Sequence, residues 1–281
     1  MWGPIGSENT HPVIKRHLSS KSLLKDRARF VVRCVLRSFE PFNRLTAKRA
    51  DVVLSHTPDT LHARLTAKAL VFTQTGIEDD LSLAKPKTNL SRTGCLRLIY
   101  AGELKDWKGA RIALDAALLA FDQGVDGELT IVGDGPLRSE MEKIVHRHPN
   151  GAQVRFLGKL SMDRLVTELQ NGDIFLYPSF HHGLSTIVLQ AMLTKLPIIC
   201  IEGDATGRAV GQEAGVTVGL SMSETPASGV AGAILELARD EPRRQACGLA
   251  SRKMALESYG YPALARQLVT VYRDVIDLQT G

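Results

Sequence analysis

No stretch of this 281-residue chain reaches the roughly 18 consecutive apolar residues needed to cross a bilayer. The opening Met1-Trp2-Gly3-Pro4-Ile5-Gly6 is not a basic segment leading into an apolar one, so no secretory signal is expected. Internal repeats and low-complexity tracts are lacking, which excludes repeat architectures. Cysteine is sparse. The four, Cys34, Cys95, Cys200 and Cys247, lie far apart in sequence, three of them inside or beside apolar runs. Reduced thiols are therefore expected, rather than disulfides or a metal centre.

The chain does contain enough apolar material for a core, at 44% of residues. Its length suits one large domain or two ordinary ones. The net charge of +5 is unevenly spread. Residues 13–50 hold eleven Lys and Arg against Asp26 and Glu40, a local charge of +9, so the remainder carries −4. No zinc-finger spacing, RNA-binding motif or aromatic interleaving accompanies that segment, and nucleic acid is not an expected partner. Residues 19–39 can instead be written as a basic amphipathic helix. Leu24, Ala28, Val31 and Val35 fall on one stripe, with Leu23, Phe30 and Cys34 alongside. Arg27, Arg29, Arg33 and Arg37 spread over the rest. Two readings stand: a helix packed on its own domain with a solvated basic face, or one drawn to an anionic membrane surface.

Further along, Ala50–Ser55 and Leu70–Thr73 read as short strands around a helix over Thr57–Ala69. Asp79–Gly94 is polar, carries Pro86, and reads as a linker. From Cys95 onward strand and helix alternate. Strands are expected at Leu96–Ala101, Leu129–Val132, Val154–Leu157, Asp173–Tyr177, Pro197–Ile201 and Val216–Val218. Apolar stripes of Leu114, Ala117, Leu118 and Phe121, of Leu137, Met141, Ile144 and Val145, and of Met162, Leu165, Val166 and Leu169 mark helices between them. Helices fill 224–257, and Leu264, Leu268, Val271, Tyr272 and Val275 mark a terminal one. This alternation is that of an α/β fold with a doubly wound parallel sheet.

The chemistry concentrates where strands hand over to helices. Gly102-Glu103-Leu104-Lys105-Asp106-Trp107-Lys108-Gly109 follows a strand and opens a helix, so its backbone can approach a phosphate closely. A lysine there would balance the charge of a leaving diphosphate. Gly133-Asp134-Gly135-Pro136 offers close backbone approach, with Asp134 read either as pocket wall or as plain helix cap. Pro178–Cys200 is a strand end, a polar loop, a helix and a new strand. Gly183 and the N–H groups of Leu184, Ser185 and Thr186 stand at the helix amino end, where unpaired donors and the helix dipole favour an anion. His181 and His182 read either as ligand contacts or as surface histidines; adjacent histidines alone make no metal site.

These motifs resemble family 4 retaining glycosyltransferases of the GT-B fold. The resemblance rests on Pro178-Ser179, His181-His182, Gly183, Gln190-Ala191-Met192 and Pro197, on Val132-Gly133-Asp134-Gly135-Pro136, and on Lys108-Gly109. It implies sugar transfer from a nucleotide sugar, UDP- or GDP-linked rather than ADP-linked, to a glycan or lipid-linked acceptor hydroxyl. Anomeric configuration would be retained, and no metal or other cofactor is implied. Lys108, His182 and Gln190 would be the catalytic set. Gly102, Glu103, Lys105, Gly133, Asp134, Gly135, Phe156, Leu157, Gly158, His181, Gly183, Leu184, Ser185 and Thr186 would line the donor. Two positions depart from the pattern: Glu103 stands where an arginine is usual, and Gln190 where a glutamate is usual. Lys195 stands where a glycine usually caps the helix.

The resemblance also implies domains. Residues 1–78 would be a partial acceptor-side domain beginning midway, with Trp2–Gly6 as a loop. Residues 79–94 would be a linker, 95–258 the nucleotide-sugar domain, and 259–281 a terminal helix crossing back to the first domain. A cytoplasmic enzyme of polysaccharide biosynthesis, peripheral to the inner membrane face, is the implied setting. Glu103, Gln190 and the short first domain raise an alternative, a non-catalytic nucleotide-sugar-binding or scaffold protein.

Overall fold

The computed structural model describes residues 2–5, 24, 27–28, 31, 45, 48–55, 69–73, 75–78, 94–180, 183–202, 205–219 and 225–280. The chain divides into two units, residues 1–76 with 261–281, and residues 77–260.

The larger unit is built on six parallel strands: β4 (Leu96–Ala101), β5 (Gly127–Val132), β6 (Val154–Gly158), β7 (Ile174–Tyr177), β8 (Ile198–Ile201) and β9 (Gly215–Val218). Their order across the sheet is β6-β5-β4-β7-β8-β9. Every neighbouring pair is parallel. The first strand of the unit therefore lies mid-sheet, and the winding reverses between β4 and β7. In open α/β sheets that reversal is where a crevice opens at the carboxyl ends of the strands.

The near-continuous apolar strands Ile-Phe-Leu-Tyr and Ile-Ile-Cys-Ile follow from burial on both faces. Leu96, Leu98, Tyr100, Leu129 and Ile131 face one side, against α1 (Ala110–Asp122) and α6 (Pro226–Arg239). Ile99, Ala101, Phe175, Tyr177, Ile198 and Cys200 face the other, against α4 (Thr186–Leu193). Each fully buried leucine or phenylalanine contributes about 1.5–3 kcal/mol, so the two clusters dominate what holds this unit together.

Further helices are α2 (Arg138–Arg147), α3 (Met162–Asn171), α5 (Ala205–Val210) and α7 (Glu241–Tyr259). The expected helical stretch 224–257 is two helices. Asp240 breaks it, its carboxylate accepting from the Arg243 amide at 2.9 Å, with Pro242 in the new first turn. Helix α5 was not expected, because Ala-Thr-Gly-Arg-Ala-Val carries no long apolar side chain until its end. Met162 corrects the expected inward stripe of α3: it is 56% exposed. At the ends of the unit, the Ile77 amide donates to the Tyr259 carbonyl at 2.9 Å, and Ile77 pairs in parallel with Gly260.

The smaller unit has a three-stranded parallel sheet, β1 (Trp2–Ile5), β2 (Val53–Ser55) and β3 (Ala69–Val71), in that order. Trp2–Ile5 is thus a strand, not the expected loop. It is an edge strand of this sheet, and its register against β2 shifts between Trp2 and Ile5; edges and bulges are where a proline such as Pro4 is tolerated. Helix α8 (Tyr261–Thr280) belongs to this unit. Leu264 is buried on it, whereas Tyr272, expected inward, is exposed. Residues 24, 27, 28 and 31 are helical, and Leu24, Arg27, Ala28 and Val31 are all exposed. The other residues of that expected stripe, the helix at 57–68 and the linker at 79–93 lie outside the described residues.

Candidate active site

Three loops meet at the carboxyl ends of β4, β5 and β6. The Gly102 amide donates to Val132 at 3.0 Å, and the Gly133 amide donates to Gly158 at 2.8 Å. The Leu104 amide donates to Asp134 at 3.1 Å, and the Leu137 amide donates to Leu104 at 3.1 Å. Contact is tight enough to demand glycine. Gly133 has φ +125°, and a Cβ there would sit 2.0 Å from the Gly102 carbonyl oxygen. Asp134 is not the helix cap offered as one reading. Leu137 holds that position, and the Asp134 carboxylate accepts from the Gly135 amide at 2.8 Å.

A fourth loop joins them across the switch point. The Phe180 amide donates to the Trp107 carbonyl at 2.9 Å, and Ser179 Oγ donates to the same oxygen at 3.3 Å. The loop ahead of α1 thus lies against the loop feeding α4. These bonds tie the loop that carries Lys108 to the loop that leads toward Gly183.

The β4–α1 loop is braced from beneath. The fully buried Tyr100 hydroxyl lies 3.3 Å from the Glu103 carbonyl and 3.2 Å from the Lys108 carbonyl, and donates between them. Burial pushes that hydroxyl far above the ordinary tyrosine range, with Tyr177 and Glu103 adding to the shift, so it stays protonated. On the solvent side, Lys105 Nζ pairs with Glu103 Oε1 at 2.6 Å. The ammonium groups of Lys108 and Lys105 lie 4.7 and 5.7 Å from the centroid of the Trp107 ring. Burial lowers the Lys108 ammonium pKa below the usual lysine range; Glu103 pulls it partly back, and Lys105 lowers it further.

Ser185 is the N-cap of α4, with Thr186 exposed at the first helical position and Leu184 buried in the core below. The amide side of Gln190 contacts Met162 Sδ at 3.1 Å, leaving its carbonyl oxygen available to accept. Phe156 packs toward the α1 face and Leu157 toward the α4 face. Gly158 is left-handed, at φ +67°. His181 and His182 lie outside the described residues. The sequence assigned no contact in the site to the side chains of Tyr100, Trp107 or Met162. An aromatic inside the polar run Lys-Asp-Trp-Lys was the available signal for Trp107. A separate cavity of about 220 Å³, lined by Arg97, Glu128, Thr130, Arg155 and Glu168 among others, opens toward the strands' amino-terminal halves, away from these loops.

Residues 84–254 match the family described as "Glycosyl transferases group 1". That is more than half of the chain. The chain belongs to the group 1 glycosyltransferase family. Among relatives of this glycosyltransferase, the α-D-kanosaminyltransferase of Streptomyces kanamyceticus is 23% identical over 178 residues, covering 63% of this chain and 45% of that protein. The glycogen synthase of Mycobacterium tuberculosis is 27% identical over 184 residues, covering 64% of this chain and 43% of that protein. The chain spans less than half the length of these two relatives. Among solved structures, sucrose-phosphate synthase from Thermosynechococcus elongatus superposes with a TM-score of 0.69 at 20% identity, covering 95% of this chain and 66% of that one. Anabaena HepE, solved with UDP and glucose, gives 0.63 at 15% identity, covering 82% and 65%. These likenesses establish the GT-B-like fold.

Proposed function

We propose that this glycosyltransferase binds a UDP- or GDP-linked sugar in the crevice between β4 and β7 and transfers the sugar to a glycan or lipid-linked hydroxyl. The observation that carries this reading is the Phe180–Trp107 hydrogen bond, which joins the lysine-bearing loop to the loop feeding α4. Lys108 and the amides at the start of α4 then face one diphosphate. They stabilise the negative charge that grows on it as the anomeric carbon–oxygen bond breaks. The acceptor oxygen forms the new bond to that carbon, and its proton leaves with the diphosphate. On the family 4 resemblance the configuration is retained and no metal is used. The carbonyl oxygen of Gln190 accepts from a donor hydroxyl, and His182 is assigned to the sugar on the same resemblance. A titration with UDP-, GDP- and ADP-sugars, read as thermal stabilisation, tests the donor. Sugar transfer in the presence of a chelator, with the product anomer read by NMR, tests the reaction. No stabilisation by any of the three sinks the reading.

The substitutions at Glu103 and Gln190 favour a second reading, a protein that binds the donor without turning it over. The discriminating variant is Glu103→Arg with Gln190→Glu. Transfer by that variant and none by the natural chain selects the second reading.

We further propose that the basic segment 19–39 docks on an anionic membrane surface at the inner face, which would bring a lipid-linked acceptor to the enzyme. Supporting this, Leu24 and Val31, of the expected apolar stripe, are 70% and 59% exposed, and the helical Arg27 is exposed too. Among the described residues, no helix is long and apolar enough to cross a membrane.

A further inference from the structure

We propose that Lys105 is a second diphosphate-binding cation, paired with Glu103 and handed over to the anion when the nucleotide binds. This rests on the donor-binding reading above and deepens it.

Four observations carry the inference. First, Lys105 Nζ and Glu103 Oε1 are 2.6 Å apart, with side chains 35% and 48% exposed. An ion pair that open to water contributes little net stability, so a doubly charged diphosphate can outcompete one carboxylate for the lysine. Second, the ammonium groups of Lys105 and Lys108 lie 5.7 and 4.7 Å from the centroid of the same Trp107 ring, so one indole is in reach of both cations. The Trp107 carbonyl is itself tied to Phe180 and Ser179.

Third, the backbone beneath Lys105 is fixed. The Lys108 amide donates to the Lys105 carbonyl at 3.1 Å, and Leu104 beside it is fully buried and bonded to Asp134 and Leu137. The handover therefore needs only rotation of a flexible side chain, not movement of the loop. Fourth, burial disfavours the charged form of Lys108, so a second cation on the same loop adds to the charge a diphosphate meets there. The Glu103–Lys105 pair keeps the loop from carrying two unpaired cations, and it releases one when an anion binds.

The competing account is that Lys105 only neutralises Glu103. Both accounts predict that Lys105→Met alone weakens nucleotide binding, so the single variant does not separate them. The Glu103→Gln background does. Affinity for UDP, with GDP as a parallel probe, is measured by calorimetry for the natural chain, Glu103→Gln, and Glu103→Gln with Lys105→Met. Uridine serves as the uncharged control. The handover predicts that Glu103→Gln tightens UDP by a few-fold. It predicts that adding Lys105→Met then weakens UDP by at least about ten-fold while uridine binding stays the same. Equal UDP affinity of Glu103→Gln and of the double variant overturns it. Matching thermal unfolding of the three proteins confirms that each is folded. If neither UDP nor GDP binds the natural chain, the donor-binding reading fails and this inference falls with it. If UDP binds in a Lys108-dependent way but Lys105→Met is silent in the Glu103→Gln background, only the inference fails.

Discussion

Gly109 sits directly against Pro178. A Cβ on Gly109 would lie 2.0 Å from the Pro178 carbonyl oxygen, and its φ of +74° is left-handed. The residue that follows Lys108 is thus pressed onto the backbone leaving β7, one strand across the switch point. Two loops far apart in sequence are held in van der Waals contact by the absence of a single carbon atom.

Gly109→Ala should therefore cost stability and nucleotide affinity together. Left-handed strain and a steric overlap with backbone point to a loss of at least about 2 kcal/mol. Chemical denaturation measures the first effect and UDP calorimetry the second. A variant within about 0.5 kcal/mol of the natural protein would show that the two loops separate without penalty.

Lys108 gives the site a pH signature. Its ammonium is already disfavoured by burial, and a bound diphosphate would restore the charged form. Its proton affinity is thus higher in the complex than in the free protein. Affinity should be full below the free protein's lowered Lys108 pKa and fall as pH rises through it. Calorimetry of UDP binding between about pH 7 and 10 reads this out, and Lys108→Arg should flatten the profile because arginine does not titrate there. Folding shows the opposite sign. The folded pKa lies below the unfolded one, so Lys108 opposes folding at neutral pH, and that penalty fades as pH rises toward the unfolded value.

Lys195 has φ 63°, the one left-handed residue other than glycine among the described residues. Its amide donates to the Met192 carbonyl at 3.0 Å as α4 ends. A side chain in that conformation costs about 1–2 kcal/mol, and glycine returns roughly 0.5–1 kcal/mol of that as lost chain entropy. Lys195→Gly should stabilise the protein by about 0.5–1 kcal/mol, seen as a higher melting temperature at unchanged UDP affinity. A lower melting temperature would mean that the lysine side chain contributes an interaction worth more than the backbone strain.

The exposed stripe of Leu24 and Val31 predicts vesicle binding that depends on lipid charge. Burying two such side chains is worth about 1.5–3 kcal/mol each. Leu24→Asp with Val31→Asp should therefore weaken sedimentation with phosphatidylglycerol vesicles by at least about ten-fold. Equal binding of both proteins, or no preference over phosphatidylcholine, would support the packed-helix reading instead.

Much of the larger unit was legible because its strands are short apolar runs separated by stripes of helical period. Leu96–Ala101 has the bounds its sequence suggests. The left-handed Lys195 was readable through the family resemblance, which puts a glycine at that helix end. What escaped was set by tertiary context. Trp2–Ile5 pairs as an edge strand despite Gly3 and Pro4, residues that weaken a strand judged locally. Met162 continues an apolar stripe by spacing, yet it turns outward beside Gln190. In the site, the family resemblance singled out Lys108, Glu103 and Lys105 but not how they pair. The Glu103–Lys105 pair is a choice among side-chain rotamers. The Tyr100 brace depends on a strand residue reaching the loop above it, which no local pattern encodes.

The seam at Ile77 carries a practical consequence. Because the Ile77 amide closes onto Tyr259, the polypeptide of the larger unit starts and finishes at one spot. A fragment cut at residues 77 and 260 would lose no strand of its sheet. Its two termini are near enough to be rejoined through a short peptide, making the unit a natural subject for excision or circular permutation.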